Sequence, residues 1–226
     1  MAALPDQPTT GRIDERPLAE VAGRPAAVQR ILAAAVGAFA EHGFEGTTTR
    51  QICTAAGLSS AGMYVYFPSK EDLLYEISLI GHGEALAALQ DAVAGPGSPT
   101  ALLRRTVHAF VLYHAQNHTL ARVIQYELRE LSIEHFAEVA AIRRRIDGVF
   151  RARILAGVEA GQFDCDDVGG AALAIESLAI DVARWFDARI SSRTPDHLAT
   201  MYAQFALQIV QAKPVARPSG ANRTES

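Results

Sequence analysis

The stretch from Thr47 to Asp72, TTTRQICTAAGLSSAGMYVYFPSKED, restricts the fold of this chain more than any other segment. Thr48 followed by Gln51 is a capping-box pattern, which predicts that a helix begins there. Gly57 predicts the end of that helix, because glycine adopts the left-handed conformation that a sharp turn between helices requires. A short helix followed by a tight turn is therefore expected, with the side chains of Ile52, Ala55 and Ala56 buried.

The second half of the stretch predicts two further helix starts. Ser59 can cap a second short helix, and Pro68 prevents that helix from continuing. Ser69 with Asp72 forms another capping pattern and opens a third helix. This order of elements is typical of a helix-turn-helix, whose second helix enters the major groove of DNA.

The run FAEHGFEGTTTRQICTAAGLSSAGMYVYFPSKEDLL resembles the DNA-binding domain of the TetR family of bacterial transcriptional regulators, over roughly residues 25–83. The matching positions include Phe39, Gly43, Phe44, Thr47, Thr48, Arg50, Ile52, Ala56, Gly57, Ser59, Tyr64, Phe67, Ser69, Lys70, Glu71 and Leu73. The resemblance implies DNA contacts, mostly to phosphates, by Thr48, Arg50, Ser59, Ser60, Tyr64, Tyr66 and Lys70. Cys53 and Val65 depart from the family pattern. Base readout is therefore expected to rest on Ser60, on Arg50 and on apolar contact of Ala61 with thymine methyl groups.

The charge of the chain opposes DNA binding by bulk electrostatics. The net charge is −4, and residues 1–80 hold six Lys and Arg against nine Asp and Glu. A dimeric DNA reader needs only a few well-placed cations. Those expected to serve are Arg12, Arg16, Arg24, Arg50 and Lys70.

The remaining sequence predicts an all-α protein, with a three-helix DNA-binding head and a C-terminal helical bundle for ligand binding and dimerisation. The predicted divisions are a flexible arm (1–23), the head (24–84), the bundle (85–212) and a disordered tail (213–226). Helical periodicity beyond the GPGSP turn predicts helices over about 100–116, 120–131, 135–160, 167–191 and from 194 onward.

Enzymatic and metal functions find no support in the sequence. His114 and His118 lie four residues apart, but two histidines without a third ligand make a poor zinc site. Glu-x-x-His, nucleophile-elbow, phosphate-loop and Cys-x-x-Cys patterns are all missing from the sequence, so no cofactor is expected. Cys53 and Cys165 suggest no disulfide framework, and no apolar run reaches a membrane span, which favours a cytoplasmic protein.

A small-molecule effector in the bundle is the expected second partner. The candidate ligand-binding residues are His108, Tyr113, His114, Arg122, Gln125, Tyr126 and Arg129, each of which can equally be ordinary helix surface. The run of arginines over 143–145 can attract an anionic ligand or form a solvated face. Arg184-Trp185-Phe186 and the VEAGQF stretch resemble segments of an acyl-CoA-responsive branch of the family that governs lipid or sterol catabolism. That resemblance implies a CoA-like ligand near Arg184 or Trp185; alternatively, Trp185 lies in a subunit interface.

The last two helices carry apolar stripes that predict a homodimer, formed by Leu173, Leu178, Trp185, Leu198, Met201, Phe205 and Ile209. Burial inside a single chain is the alternative. The expected function is a homodimeric repressor that a small molecule, an acyl-CoA or another hydrophobic compound, releases from a palindromic double-stranded operator. A small-molecule carrier bundle with a degenerate head is the alternative function.

Overall fold

A computed structural model describes residues 21–213, except for the side chain of Ser60. The predicted arm and tail fall almost wholly outside that range. All regular elements within it are helices, as predicted. They are α1 (Ala26–Gly46), α2 (Thr49–Ala55), α3 (Ser60–Tyr64), α4 (Lys70–Val93), α5 (Pro99–Gln116), α6 (His118–Tyr126), a 3-10 turn (Leu128–Glu130), α7 (Ile133–Glu159), α8 (Val168–Trp185) and α9 (Pro195–Ile209).

The predicted helix starts in the helix-turn-helix are confirmed. Thr48 and Gln51 form a reciprocal capping box, in which the Gln51 amide donates to Thr48 Oγ1 and the Thr48 amide donates to Gln51 Oε1. Gly57 has φ 67°, the left-handed conformation expected of the turn. The hydroxyls of Ser59 and Ser69 accept hydrogen bonds from the amides of the first turns of α3 and α4.

The head packs α1, α2 and α3 against the first half of α4. Its core contains fully buried side chains from each of these helices, including Ile31, Phe39, Ile52, Met63 and Leu73. The prediction that Ala55 is buried is wrong, because it lies on the exposed side of α2. Cys53 is buried, as a compact apolar thiol can be.

Helix α4 belongs to both halves of the molecule. Leu73, Leu74 and Ile77 lie in the core of the head, whereas Leu86 and Leu89 lie in the core of the bundle. The predicted boundary after residue 84 therefore falls inside one continuous helix. A change in the bundle that tilts α4 must also move the head.

The bundle packs α5 against α9, α8, α7 and the second half of α4. Phe110 and Phe150 meet edge to face at its centre, with ring centroids 5.2 Å apart. Two predicted helix ends were too late. Helix α6 stops at Tyr126 before the 3-10 turn, and α8 stops at Trp185 because Phe186 is extended (φ −72°, ψ 130°).

The apolar stripes of α8 and α9 divide into buried and exposed residues. Leu198 is fully buried inside its own chain, so it cannot contribute to a subunit interface and that part of the prediction is wrong. Leu173, Leu178, Trp185 and Phe205 are exposed by 41–65%. Leu178 and Trp185 lie seven residues apart and so share one face of α8. Exposed apolar side chains on one face are typical of a protein–protein interface.

Candidate functional site

The exposed surface of the helix-turn-helix carries most of the residues predicted to contact DNA. Arg50, Ala61, Tyr64 and Tyr66 are exposed, whereas Met63 between them is fully buried. Met63 fixes α3 to the head core and leaves the neighbouring aromatic side chains pointing outward. The surface is thus held rigidly although α3 has only five residues.

Thr48 and Ser59 have a structural role at these helix starts. Each hydroxyl caps a helix, and both side chains remain exposed. The Ser59 hydroxyl accepts one backbone hydrogen bond and retains a proton that it can donate to a phosphate. The Thr48 hydroxyl already donates its proton to Gln51 Oε1 (2.7 Å). The predicted contact by Ser60 concerns a side chain outside the described part of the structure.

Two of the cations expected on DNA are engaged within the protein. Lys70 Nζ donates to the carbonyl oxygens of Phe44 (2.6 Å) and Thr47 (2.9 Å) and lies 4.1 Å from the centre of the Phe44 ring. Arg24 pairs with Glu76. Lys70 therefore fastens the end of α1 to the start of α4, and Arg50 remains exposed. Arg12 and Arg16 lie outside the described residues.

A cavity of about 340 Å³ lies among α4, α5, α6, α7 and α8. Every lining residue from α4 and α5 is buried, including His82, Phe110 and His114. Its exposed lining residues, Arg144, Arg151 and Leu173, lie on α7 and α8. The mouth is therefore between α7 and α8, and the inner end is at α5. The other lining residues are Gly81, Ala85, Tyr113, Ile124, Gln125, Ala140, Arg143, Ile146, Asp147, Glu176 and Ile180.

Arg143 is held across the cavity by hydrogen bonds to two other helices. Its Nη1 donates to Gln125 Oε1 of α6 (2.8 Å) and to His82 Nε2 of α4 (3.1 Å). His82 can accept that bond because its Nδ1 donates to the Ser78 carbonyl. Burial, assisted by the charge of Arg143, lowers the pKa of His82 to about 4, so this imidazole is neutral at pH 7.

The mouth of the cavity carries charges of both signs. Arg151 donates to Asp147 (2.6 Å), one helical turn away on α7. Burial and the neighbouring Asp147 carboxylate raise the pKa of Glu176 to about 7, while Arg143 and Arg151 oppose that rise. Glu176 Oε1 has no hydrogen-bond partner within the described chain. Near neutral pH the arginines of the cavity thus outweigh its carboxylates.

Three of the predicted ligand-binding residues line this cavity, namely Tyr113, His114 and Gln125. The others lie outside its lining. His108 pairs with Asp196, Arg184 pairs with Asp181, and Tyr126, Arg129 and Trp185 are exposed. Arg122, on α6, is also not part of the lining.

The VEAGQF stretch closes α7 rather than lining the cavity. Gly161 ends the helix with φ 66°, and the Gln162 side chain accepts hydrogen bonds from Thr100. The Phe163 ring packs so closely on Gly157 that a Cβ there would lie 2.0 Å from ring atoms. The stretch therefore has a packing role.

Sequence reasoning left the arginines over 143–145 undecided and missed Asp147, Arg151 and Glu176. Arg143, Asp147 and Arg151 recur every four residues, which places them on one face of α7. That spacing was the available signal, and it was obscured because Arg143 stands in a run of three arginines. His82 and Glu176 gave no comparable signal, because no charged residue lies three or four positions from either.

In addition to the continuous helix α4, a group of side-chain contacts joins the head to the bundle. Glu71 in the first turn of α4 accepts hydrogen bonds from the Ser132 amide (2.9 Å) and from His135 Nδ1 (2.8 Å) at the start of α7. The Tyr75 ring stacks on His135 with centroids 3.7 Å apart. The beginnings of α4 and α7 thus move together.

Comparison with known proteins assigns the family. Residues 31–77 match the sequence family of bacterial regulatory proteins, tetR family, and residues 96–210 match the tetracyclin repressor-like C-terminal domain. The chain belongs to the TetR family. A TetR-family bacterial regulatory protein from Rhodococcus RHA1 has a solved structure with 44% sequence identity and a TM-score of 0.80, covering 84% of this chain and 100% of that one.

Two curated relatives of this TetR-family protein are regulators with names that describe a function. The HTH-type transcriptional repressor KstR2 of Rhodococcus jostii is 29% identical over 84% of this chain and 94% of its own length. The Fatty acid metabolism regulator protein of Bacillus subtilis is 25% identical over 59% of this chain and 69% of its own length. The chain is a DNA-binding transcriptional regulator with a ligand-binding C-terminal domain, and such regulators are not enzymes.

Within residues 21–213, none of the helices combines the length and the apolar character needed to cross a membrane.

Proposed function

We propose that this TetR-family protein is a homodimeric repressor that leaves its operator when an amphipathic anion of the acyl-CoA class enters the cavity. The observation that carries this proposal is the position of Ile124 on α6. Its side chain is buried in the core of the head and also lines the cavity. A ligand that displaces Ile124 therefore disturbs the packing of the head directly.

The contact between α6 and α4 leaves little space for such a displacement. A Cβ at Gly81 would lie 2.7 Å from Ile124 Cδ1, so the two helices touch through a glycine. Helix α6 also packs along α1 of the head. Close-packed interfaces respond to a ligand by shifting between discrete arrangements rather than by deforming continuously. Ligand entry is thus expected to change the angle at which α4 carries the head.

The chemistry of the cavity supports an amphipathic anion. Its inner wall contains Phe110, Ala85 and Ile124, which suit a hydrocarbon group. Arg144 and Arg151 at the mouth suit phosphates that remain near solvent. One relative is named a fatty acid metabolism regulator, which agrees with a thioester of a hydrophobic acid as the effector.

Two copies joined through α8 and α9 would present two heads to one DNA duplex. Two-fold symmetry predicts a palindromic operator with half-sites about one helical turn, ~34–36 Å, apart or a multiple of it. A protein that acts on chromosomal DNA in this way works in the cytoplasm.

The proposal is tested first at the head, with DNA from upstream of the gene that encodes the protein. Tyr64→Ala is expected to weaken binding to this DNA about tenfold, because an exposed aromatic side chain on the reading surface is lost. Fluorescence anisotropy at two salt concentrations measures the affinity. Binding to scrambled DNA should be much weaker, and binding to the native sequence should fall with salt.

Val65→Ala serves as the matched control. Val65 is adjacent to Tyr64 and more exposed (76% against 51%), but it has no side-chain group that donates a hydrogen bond. Its affinity for DNA should stay within about twofold of wild type. Equal affinities for native and scrambled DNA would instead favour a carrier bundle with a degenerate head.

A further inference from the structure

The inner end of the cavity contains a histidine whose second ring nitrogen has no hydrogen-bond partner among residues 21–213. His114 is 2% exposed, and its ring meets those of Phe110 and Tyr113 edge to face at 4.3 and 5.5 Å between centroids. These contacts fix the orientation of the imidazole within the wall of the cavity. A polar group buried in such a position is costly unless it finds a partner.

The hydrogen bond of His114 determines which nitrogen carries the proton. Nδ1 lies 2.8 Å from the Phe110 carbonyl oxygen, which can only accept, so Nδ1 must donate. Burial, with a further contribution from the Arg143 charge, lowers the pKa of His114 to about 4. The ring is therefore neutral at pH 7, and Nε2 presents a lone pair. No described residue donates a hydrogen bond to this nitrogen.

His82, on the facing helix α4, indicates what Nε2 of His114 requires. It has the same arrangement, with Nδ1 donating to the carbonyl of the residue four positions earlier at 2.8 Å. Its Nε2, however, accepts a hydrogen bond from Arg143. The two imidazoles that line the cavity therefore have the same tautomer, with the proton on Nδ1. Of these two, only the imidazole of His114 has an Nε2 atom without a partner among the described residues, so this atom remains available to accept a hydrogen bond from a bound molecule.

The surroundings limit the kind of donor that fits. Phe110 and Ile124 make the nearby wall apolar, and the guanidinium of Arg143 is close enough to influence the pKa of His114. A cationic donor would be repelled by Arg143 and would lose its hydration on entering. A neutral hydroxyl on an otherwise apolar group satisfies both conditions.

We propose that His114 Nε2 is a specificity-determining acceptor, which selects effectors whose buried end carries a hydroxyl group over effectors that end in plain hydrocarbon. The inference rests on the proposed function, because it assumes that the effector enters this cavity with its anionic group at the mouth. The hydroxyl donates to Nε2 and fills the position that Arg143 fills at His82. A plain hydrocarbon chain excludes solvent from Nε2 and leaves the acceptor unpaired.

Isothermal titration calorimetry with two matched series of ligands tests this proposal. The probes are hexanoyl-, octanoyl- and decanoyl-CoA and their ω-hydroxy counterparts. At the chain length that reaches His114, the hydroxyl form should bind wild-type protein at least about tenfold more tightly, which is the usual effect of pairing a buried acceptor. His114→Leu should abolish the preference, and His114→Gln, which keeps an acceptor, should retain part of it.

His108→Leu, on the same helix but outside the cavity, is the control and should keep the wild-type preference. If His114→Leu does not fold, the preference of the wild-type protein for hydroxyl ligands and its partial retention in His114→Gln still test the proposed role of Nε2. Equal affinities for both series at every chain length, or no binding of either, would overturn the inference. Operator affinity of the ligand-free protein, measured on the same samples, reports separately on whether the regulator itself is intact.

Discussion

Leu178→Glu and Phe205→Glu are expected to separate the protein into monomers and to weaken operator binding by about a hundredfold. Both side chains are large, apolar and exposed, Leu178 on α8 and Phe205 on α9. A carboxylate buried in a symmetric interface meets its own copy or an apolar surface, and either is strongly unfavourable. Loss of the second head removes the avidity of two linked half-sites, which is worth a factor of about 10²–10⁴.

Size-exclusion chromatography with light scattering measures the mass, and anisotropy on labelled operator measures the affinity. Leu155→Glu is the matched control, because Leu155 on α7 is as exposed as Leu178 (47% each) but lies on another helix. It should leave both the mass and the affinity unchanged. A Leu178→Glu protein that remains a dimer would refute the assignment of the interface to α8 and α9.

Each of the two buried histidines of the cavity should make the wild-type protein less stable in acid. His82 and His114 both have pKa values of about 4 in the folded chain, against about 6.5 when unfolded. The unfolded chain therefore binds protons that the folded chain does not. The contribution of the neutral histidines to the free energy of unfolding is complete above pH 6.5. It is lost as the pH falls towards 4, at about 1.4 kcal/mol per pH unit for each histidine.

Urea denaturation at pH 7.5 and pH 5.0 measures this loss. His114→Leu should reduce the loss of unfolding free energy between these pH values by about 2 kcal/mol relative to wild type, because one titrating group is removed. Glu176 acts in the opposite direction, since its raised pKa means that lowering the pH through 7 relieves the burial of its charge. Because Glu176 is present in both proteins, comparing His114→Leu with wild type separates the contribution of His114 from that of Glu176. His108→Leu should retain the wild-type loss, and an identical loss in His114→Leu would contradict a buried neutral imidazole.

The sequence was most informative where a short segment determines its own conformation. The capping pair of Thr48 and Gln51 and the turn at Gly57 depend on neighbouring residues only, and the structure confirms both. The family resemblance carried by the same segment is confirmed by the comparisons. The amino-acid sequence alone therefore indicates both the local conformation of this segment and its family.

The cavity could be predicted only in part, because its residues come from five helices that the sequence does not align. Tyr113, His114 and Gln125 were identified as ligand candidates and do line it. The sequence does not determine the orientation of Arg143, because three adjacent arginines point around a helix and only their packing decides which of them face inward. Arg184 and Trp185 were expected near the ligand, but α8 turns them away from the cavity.

The role of Lys70 shows a similar limit. The sequence places it at the start of a helix, where DNA contact is the family expectation. Its ammonium group instead lies against the end of α1, because the Phe44 ring and the carbonyl oxygens of Phe44 and Thr47 form a site for a cation there. This contact joins residues 26 positions apart, so no local sequence pattern predicts it.

The most direct test of ligand-controlled DNA binding is a titration of octanoyl-CoA into the complex of wild-type protein with labelled operator, followed by anisotropy. We predict release of the DNA, and we predict that Arg144→Glu, with unchanged operator affinity in the absence of ligand, needs at least about tenfold more ligand. Arg145→Glu, which changes the adjacent arginine outside the cavity lining, should respond like wild type. Release that is equally sensitive in all three proteins, or no release at saturating ligand, would contradict control through this cavity.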